Sequence, residues 1–157
     1  MLDPIQYDSI KCGHGSVLSV LQGAIFPGET AWQAPSFETL LANPTCFGFF
    51  VAPQKNRETP FGFLLMQTVL DEAEILSFGI LPKFRKKGVG SALLQHGLYF
   101  LQKQNITEVF LEVAEDNLAA LKTYQALNFK QYGKRPNYYN RQKGVTCSAL
   151  LLKKLLS

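Results

Sequence analysis

Three consecutive cations, Arg85, Lys86 and Lys87, run straight into two glycines, Gly88 and Gly90, in the stretch FRKKGVG. The stretch lies between an apolar run, EILSFGIL, and an apolar pattern at helical spacing, SALLQHGLYFLQ. A helix starting there offers unpaired N–H groups and the positive end of its macrodipole. Glycines let an anion approach the backbone, and the cations add long-range attraction. This is the chemistry of a pyrophosphate cradle. Two common cradles do not fit: no Gly-Lys-Ser/Thr follows, as a Walker loop requires, and Leu93 stands where a G-x-G-x-x-G motif needs its third glycine.

Two further residues could move protons. Glu112 alternates with Phe110 and Ala114 on one face of an apolar strand pattern, TEVFLEVA. A carboxylate there is costly, and desolvation would raise its pKa toward that of a useful general base. Tyr124 shares a helical face with Leu121 and Leu127, which suits either a packed aromatic or a buried proton donor.

The elements that must position these groups are legible in the pattern. Residues 15–26 and 36–43 read as helices, the second with Ser36 as its N-cap. Residues 46–52, 60–70 and 74–82 read as a strand meander, broken by APQKNRETP and the acidic turn DEAE. A helix over 88–104 carries Val89, Leu93, Leu94, Leu98 and Leu101 at helical spacing, and a strand over 107–114 follows it. Asn117 caps a further helix, and FKQYGKRPNYYN and TCSALLLKKL close the chain as two strands. There is no repeat, linker or composition break, so residues 1–157 read as one α/β domain.

Composition agrees. The chain has 157 residues, 46% hydrophobic and 18% charged, enough for a sizeable core and too apolar for a disordered tail. A net charge of +4 fits an anionic partner without choosing its kind. No segment is long and apolar enough to span a membrane and no signal peptide is evident, so a cytoplasmic protein is expected. Cys12, Cys46 and Cys147 have neither disulfide nor zinc spacing and are expected as buried free thiols, with no metal site. His14 and His96 lack partners at triad or metal spacing and are assigned structural or surface roles. Trp32, in ETAWQAPSF, is a packing anchor or an acceptor contact.

The pattern Arg85-x-x-Gly88-x-Gly90, after a strand and before a helix, resembles the acetyl-coenzyme A signature Q/R-x-x-G-x-G/A of the GNAT acetyltransferases. LEVAEDNLAALKTYQALNF resembles most the bacterial ribosomal-protein alanine N-acetyltransferases, whose run is approximately L-E-V-R-x-S-N-x-x-A-I-x-L-Y-x-x-x-G-F followed by R-x-Y-Y. Glu112, Asn117, Ala120, Tyr124 and Phe129 match, as do Arg135, Tyr138 and Tyr139. The resemblance covers about Phe61 to Tyr139 well. Arg-x-Ser before the family's Asn is replaced by Ala114, Glu115 and Asp116, and its acidic pair before the last strand by Thr146, Cys147 and Ser148.

The resemblance implies a single GNAT domain, α/β in class, with a mixed sheet of six to seven strands, about four helices and two splayed strands at the acetyl-CoA site. It implies that Phe78, Gly79 and Ile80 pair with the pantetheine arm, that Ile80 N–H receives the oxyanion, and that Arg85, Lys86, Lys87, Gly88, Val89, Gly90 and Ser91 hold the pyrophosphate. Asn117 and Tyr124 complete the cofactor contacts. Glu112 becomes the general base and Tyr124 the proton donor to the departing thiolate, while Trp32, Arg135, Tyr138 and Tyr139 border the acceptor. The expected acceptor is the N-terminal alanine of a small-subunit ribosomal protein. An α-amine, with a pKa near 8, is roughly 10% neutral at pH 7, against well under 1% for a lysine amine, so one tuned carboxylate serves it more readily. The alternatives are acetylation of a small amine and a non-enzymatic basic module that stacks RNA bases on YGKRPNYYNR; the latter lacks an RNA-binding signature, and no direct nucleic-acid or membrane binding is expected.

Overall fold

The structure, a computed structural model, describes residues 3–29 and 32–157. Among these the order is β1 (Ile5–Ser9), α1 (Gly15–Ile25), α2 (Ala34–Leu41), β2 (Cys46–Pro53), β3 (Gly62–Val69), β4 (Glu72–Ile80), α3 (Val89–Lys103), β5 (Glu108–Ala114), α4 (Leu118–Ala126), β6 (Lys130–Asn140) and β7 (Thr146–Leu155). The strands form one sheet in the order β1-β2-β3-β4-β5-β7-β6. All pairs are antiparallel except β4 with β5.

The elements from β2 onward follow the sequence pattern to within about two residues at either end. The N-terminal third departs from it. β1 was not anticipated: five residues, IQYDS, are too short a run to stand out, and they become a strand because β2 supplies a partner edge. The second helix starts at Ala34 and is capped by Gln33, not Ser36, with Pro35 in its first turn, where a missing N–H costs nothing. The thiols are free, but only Cys46 is buried; Cys147 is half-buried and Cys12 exposed.

Each sheet face carries its own core. On one side α3 lays Val89, Leu93, Leu94, Leu98 and Leu101 against Leu64, Met66, Ile75 and Val109, and α4 adds Tyr124. On the other, Leu18, Leu21 and Ile25 of α1 and Phe37 and Leu41 of α2 pack on Phe50, Phe63 and Leu65. Hydrophobic side chains on both faces of β3 explain why its residues from Gly62 to Met66 are all buried. The two histidines serve packing. His96 lies between Tyr7, stacked at 4.1 Å, and Phe49, edge-on at 4.6 Å, while His14 accepts the Lys11 N–H at 2.8 Å.

The feature that positions the site is the parting of β4 from β5. Their parallel ladder runs only from Glu72–Glu108 to Ile75–Leu111. At that point β4 carries an irregularity, the register with β3 jumping from Leu65–Ser77 to Met66–Ile75. One extra residue bends a strand away from its neighbour. β5 continues against β7 as far as Ala114, so the two central strands open into a V between α1 on one face and α4 on the other.

Candidate active site

The V holds a cavity of about 410 Å³ whose walls include Phe78 on β4, Glu112 on β5, Asn117 and Tyr124 on α4, Gln22 on α1, and Trp32, Tyr138 and Tyr139. The catalytic pair expected from the sequence thus faces one space, together with three of the four residues expected to border the acceptor. A smaller cavity of about 260 Å³ adjoins it, lined by Glu72, Phe110, Tyr132 and Arg135 among others.

Tyr124 is only 4% exposed, with Phe129 and Phe78 at ring-centroid distances of 5.4 and 5.8 Å. Tyr124 lines the cavity, and its hydroxyl, not fully enclosed by protein, makes no hydrogen bond among the described residues. Burial, reinforced by Tyr139, pushes its pKa far above the ordinary phenol value, so it keeps its proton throughout the physiological range.

Glu112 differs from expectation. The β5 face bearing Glu108, Phe110 and Glu112 is only partly buried, and the carboxylate pairs with Arg135 at 3.1 Å. It is therefore held by a cation and not isolated among apolar groups. The physical reason lies in β6, which reaches back across β7 and brings Arg135 over this face. The same contact accounts for Arg135, which lines the smaller cavity and is bound to Glu112 instead of standing free for the acceptor.

At the end of β4 the hydrogen-bond alternation sorts the predicted backbone contacts. Leu81 N–H donates to Phe61 O at 2.8 Å, which makes 81 and, two residues back, Gly79 the positions whose polar groups face β3. Gly79 is thus unavailable to a ligand, and a Cβ there would run into Ile25. Phe78 and Ile80 turn their polar groups to the open edge, where the Ile80 carbonyl accepts from Arg85 Nε at 2.9 Å. Arg85 also donates from Nη2 to Ile25 O at 3.0 Å, and its own N–H goes to Pro82 O. Its side chain ties β4 to α1; it does not join the cradle.

The rest of the loop has the geometry of an anion site. Lys86 and Gly88 are left-handed, with φ of 63° and 78°, and none of the N–H groups from Lys86 to Ser91 donates to an acceptor among the described residues. Such a run of free amides at a helix start is concave and positive. Val89 is buried under it, so only its backbone is offered. A Cβ at Gly90 would sit 3.5 Å from the side chains of Phe78 and Ile80, in ordinary contact, so Gly90 lies against the end of β4. Asn117 caps α4, its Oδ1 accepting the Ala120 N–H at 3.3 Å.

Three contributors to the site were not read from the sequence. Gln22 is buried in α1, and its Oε1 accepts the Trp32 N–H at 2.6 Å, fixing that residue at the cavity mouth. Glu74 lines the cavity from β4. Arg141 grips Asp116 through Nε and Nη2 at 3.0 and 2.9 Å and pairs with Glu29 at 3.3 Å, joining three distant segments over the V. In the helical pattern of residues 15–26 Gln22 is one polar residue beside Ser16 and Ser19, and nothing local marked it or the other two. Tyr139 has its pKa pushed up to about 12 by burial, with Glu112 and Glu29 adding to the rise. Among the described residues no His/Cys/Asp/Glu group is placed to hold a metal, and no helix is long and apolar enough to cross a membrane.

A sheet opened between its central parallel strands, with free amides at the start of the following helix, is the architecture of the acetyltransferase class. The model of the Acetyltransferase (GNAT) family matches residues 18–129, and the chain belongs to that family. The ribosomal protein bS18-alanine N-acetyltransferase of Escherichia coli is 38% identical over 77 residues, 49% of this chain and 52% of that protein, so the match spans about half the length of this curated relative. The crystal structure of the ribosomal-protein-S18-alanine N-acetyltransferase from Escherichia coli superposes with a TM-score of 0.87 at 23% identity, covering 98% of this chain and 95% of that one. Arabidopsis thaliana NAA60 in complex with acetyl-CoA superposes with a TM-score of 0.80 at 16% identity, covering 98% and 99%.

Proposed function

We propose that this protein transfers an acetyl group from acetyl-CoA directly to the N-terminal α-amine of a protein, with a ribosomal protein of the small subunit that begins with alanine as the acceptor, in the cytoplasm. The observation that carries the reading is the unpartnered hydroxyl of buried Tyr124 facing the same cavity as Glu112, where β4 and β5 part. Membership of the family, the relative acting on bS18 and the neighbour with bound acetyl-CoA support it.

The residues present fit acetyl-CoA. Free N–H groups from Lys86 to Ser91 suit its pyrophosphate, and the outward polar groups of Phe78 and Ile80 suit an arm lying along β4 as an added strand. When bound it supplies a thioester, whose carbonyl carbon is the electrophile. Ile80 N–H is directed to the edge where the carbonyl oxygen gathers charge. Glu112 takes a proton from the attacking nitrogen, and the ion pair with Arg135 orients that carboxylate. Tyr124 gives its proton to the departing sulfur, a role for which a phenol that stays protonated is suited.

Two adjoining cavities of about 410 and 260 Å³ favour an acceptor that continues past its amine, as a peptide does, over a compact small amine. Intact-mass analysis after incubation with acetyl-CoA tests this: an alanine-initiated peptide is expected to gain one acetyl group, while spermidine and the same peptide blocked at its N-terminus and carrying a lysine gain none. Preferential modification of spermidine would overturn the acceptor assignment.

Gln22→Leu removes the acceptor of the Trp32 N–H at 2.6 Å, along with a marginal contact from Nε2 to Ser77 Oγ at 3.5 Å. The loss of one buried hydrogen bond, about 1 kcal/mol, should raise the acceptor KM about fivefold and leave kcat and acetyl-CoA affinity nearly unchanged in steady-state kinetics and calorimetry.

A further inference from the structure

Glu74 and Glu112 are the two residues common to both cavities and so form the partition between them. Register places them together. Glu74 lies opposite Phe110, the last rung of the ladder is Ile75–Leu111, and Glu112 follows on the face of Phe110 as β5 leaves β4. The two carboxylates therefore flank the root of the V and share the larger cavity with Tyr124. Their surroundings differ. Glu112 is paired with Arg135, while Glu74 makes no ion pair or hydrogen bond among the described residues.

The charged and titratable groups about Glu74 come from several elements. Glu112 and Arg135 act from β5 and β6, Glu72 shares the smaller cavity, and Glu29 and Tyr139 share the larger one. Glu74 is exposed to solvent within the cavity; the desolvation it still meets there, then the charge of Glu112, raise its pKa, and Arg135 offsets part of the rise. Neighbouring carboxylates whose environments separate their affinities for a proton can divide a proton-transfer task.

Resting on the acyl-transfer reading above, we propose that Glu74 is a second acceptor-side base: it receives the acceptor's ammonium and takes its first proton, leaving Glu112 to take the second as the nitrogen attacks. The step balances. The ammonium transfers H⁺ to the Glu74 carboxylate and becomes a neutral amine. Its lone pair then forms the C–N bond while Glu112 accepts the next proton; the C–S bond breaks and sulfur receives the Tyr124 proton. Tyr124 is restored with the proton from Glu112, and Glu74 releases its own to water. One proton leaves for each amide formed. The division also sets a ceiling on the effect. An α-amine is roughly 10% neutral at pH 7, so a local base that converts the remainder accelerates the reaction by about tenfold at most, and by nothing once the amine is neutral in solution.

The test is kcat/KM against pH, from 6 to 9, for an alanine-initiated peptide with wild type, Glu74→Gln and Glu112→Gln, together with carbon-detected NMR titration of side-chain carboxyls in the free protein. Glu74→Gln should be slower by about tenfold at pH 7 and should converge on wild type by pH 9, while the Glu112→Gln deficit persists across the range. In the NMR titration Glu74 should respond above the ordinary glutamate range, and Glu112→Gln should bring it down by removing a like charge. A wild type that is active while Glu74→Gln shows no deficit, or one that does not change with pH, overturns this proposal alone, as does a Glu74 that titrates as an ordinary glutamate. A wild type that acetylates no amine overturns the acyl-transfer reading and this proposal with it.

Discussion

Glu112→Gln should lower kcat/KM for an alanine-initiated peptide by about two orders of magnitude, with acetyl-CoA affinity unchanged. The amide has the size and shape of the carboxylate but cannot take a proton from the attacking nitrogen. Arg135 makes the experiment sharper. In wild type its guanidinium lies 3.1 Å from Glu112; in the variant it faces a neutral amide and is free to shift. Both groups are partly solvated, so the pair itself contributes little to folding, and thermal melting should change by no more than a few degrees. A large loss of rate with a nearly unchanged melt separates chemistry from folding. Tyr124→Phe is the companion variant: the ring still packs between Phe78 and Phe129, binding is retained, and the loss appears in kcat, because only the proton given to sulfur is missing. Near-normal rates for both variants from pH 6 to 9 would reduce the pair to packing residues.

Gly88→Val should abolish acetyl-CoA binding measurable by calorimetry, a loss of at least about a hundredfold. Two causes act at one residue. Its φ of 78° is in the left-handed region, where a non-glycine residue costs about 1–2 kcal/mol and a β-branched one more. No protein atom lies within 4 Å of where the Cβ would be, so the fold does not resist the side chain sterically. The strain instead relaxes by turning the loop out of the conformation that converges its amides, and the branched carbons stand over the mouth of the cradle. The folded state should survive with a small fall in melting temperature. Lys86→Ala, which removes a charge and no amide, should weaken binding only modestly, by an amount that shrinks as salt rises. Undiminished affinity in Gly88→Val would rule the cradle out.

The local patterns translated well wherever an element is determined by its own side chains. The seam of Val89, Leu93, Leu94, Leu98 and Leu101 specifies α3 and its buried face, and the cations and glycines before it mark the loop as an anion site. Asn117 specifies the start of α4 by a capping bond three residues long. TCSALLLKKL specifies β7 to the residue through its short apolar run, and TEVFLEVA gives β5 to within a residue, because the alternation and the valines are sufficient there. β1 had no such signal, since a five-residue edge strand derives its conformation from β2.

What the sequence determined by itself was therefore the set of elements from β2 onward, the identity of the chemical groups and, through runs such as LEVAEDNLAALKTY, the family to which they belong. What only the tertiary structure decided was which groups meet. Glu112 reads as a lone carboxylate on an apolar strand until β6, folding back across β7, brings Arg135 to within 3.1 Å of it. Arg85 reads as a phosphate ligand until its guanidinium turns back to the carbonyls of Ile80 and Ile25, groups 5 and 60 residues away. Glu74 reads as part of an acidic turn until the short parallel ladder sets it opposite Phe110, on the face where Glu112 follows as the strands part. The physical reason is one of range. Helical and strand periodicity reflect contacts between residues a few positions apart, whereas the charge state and free hydrogen bonds of a site depend on partners that only the closed sheet brings within a few ångströms.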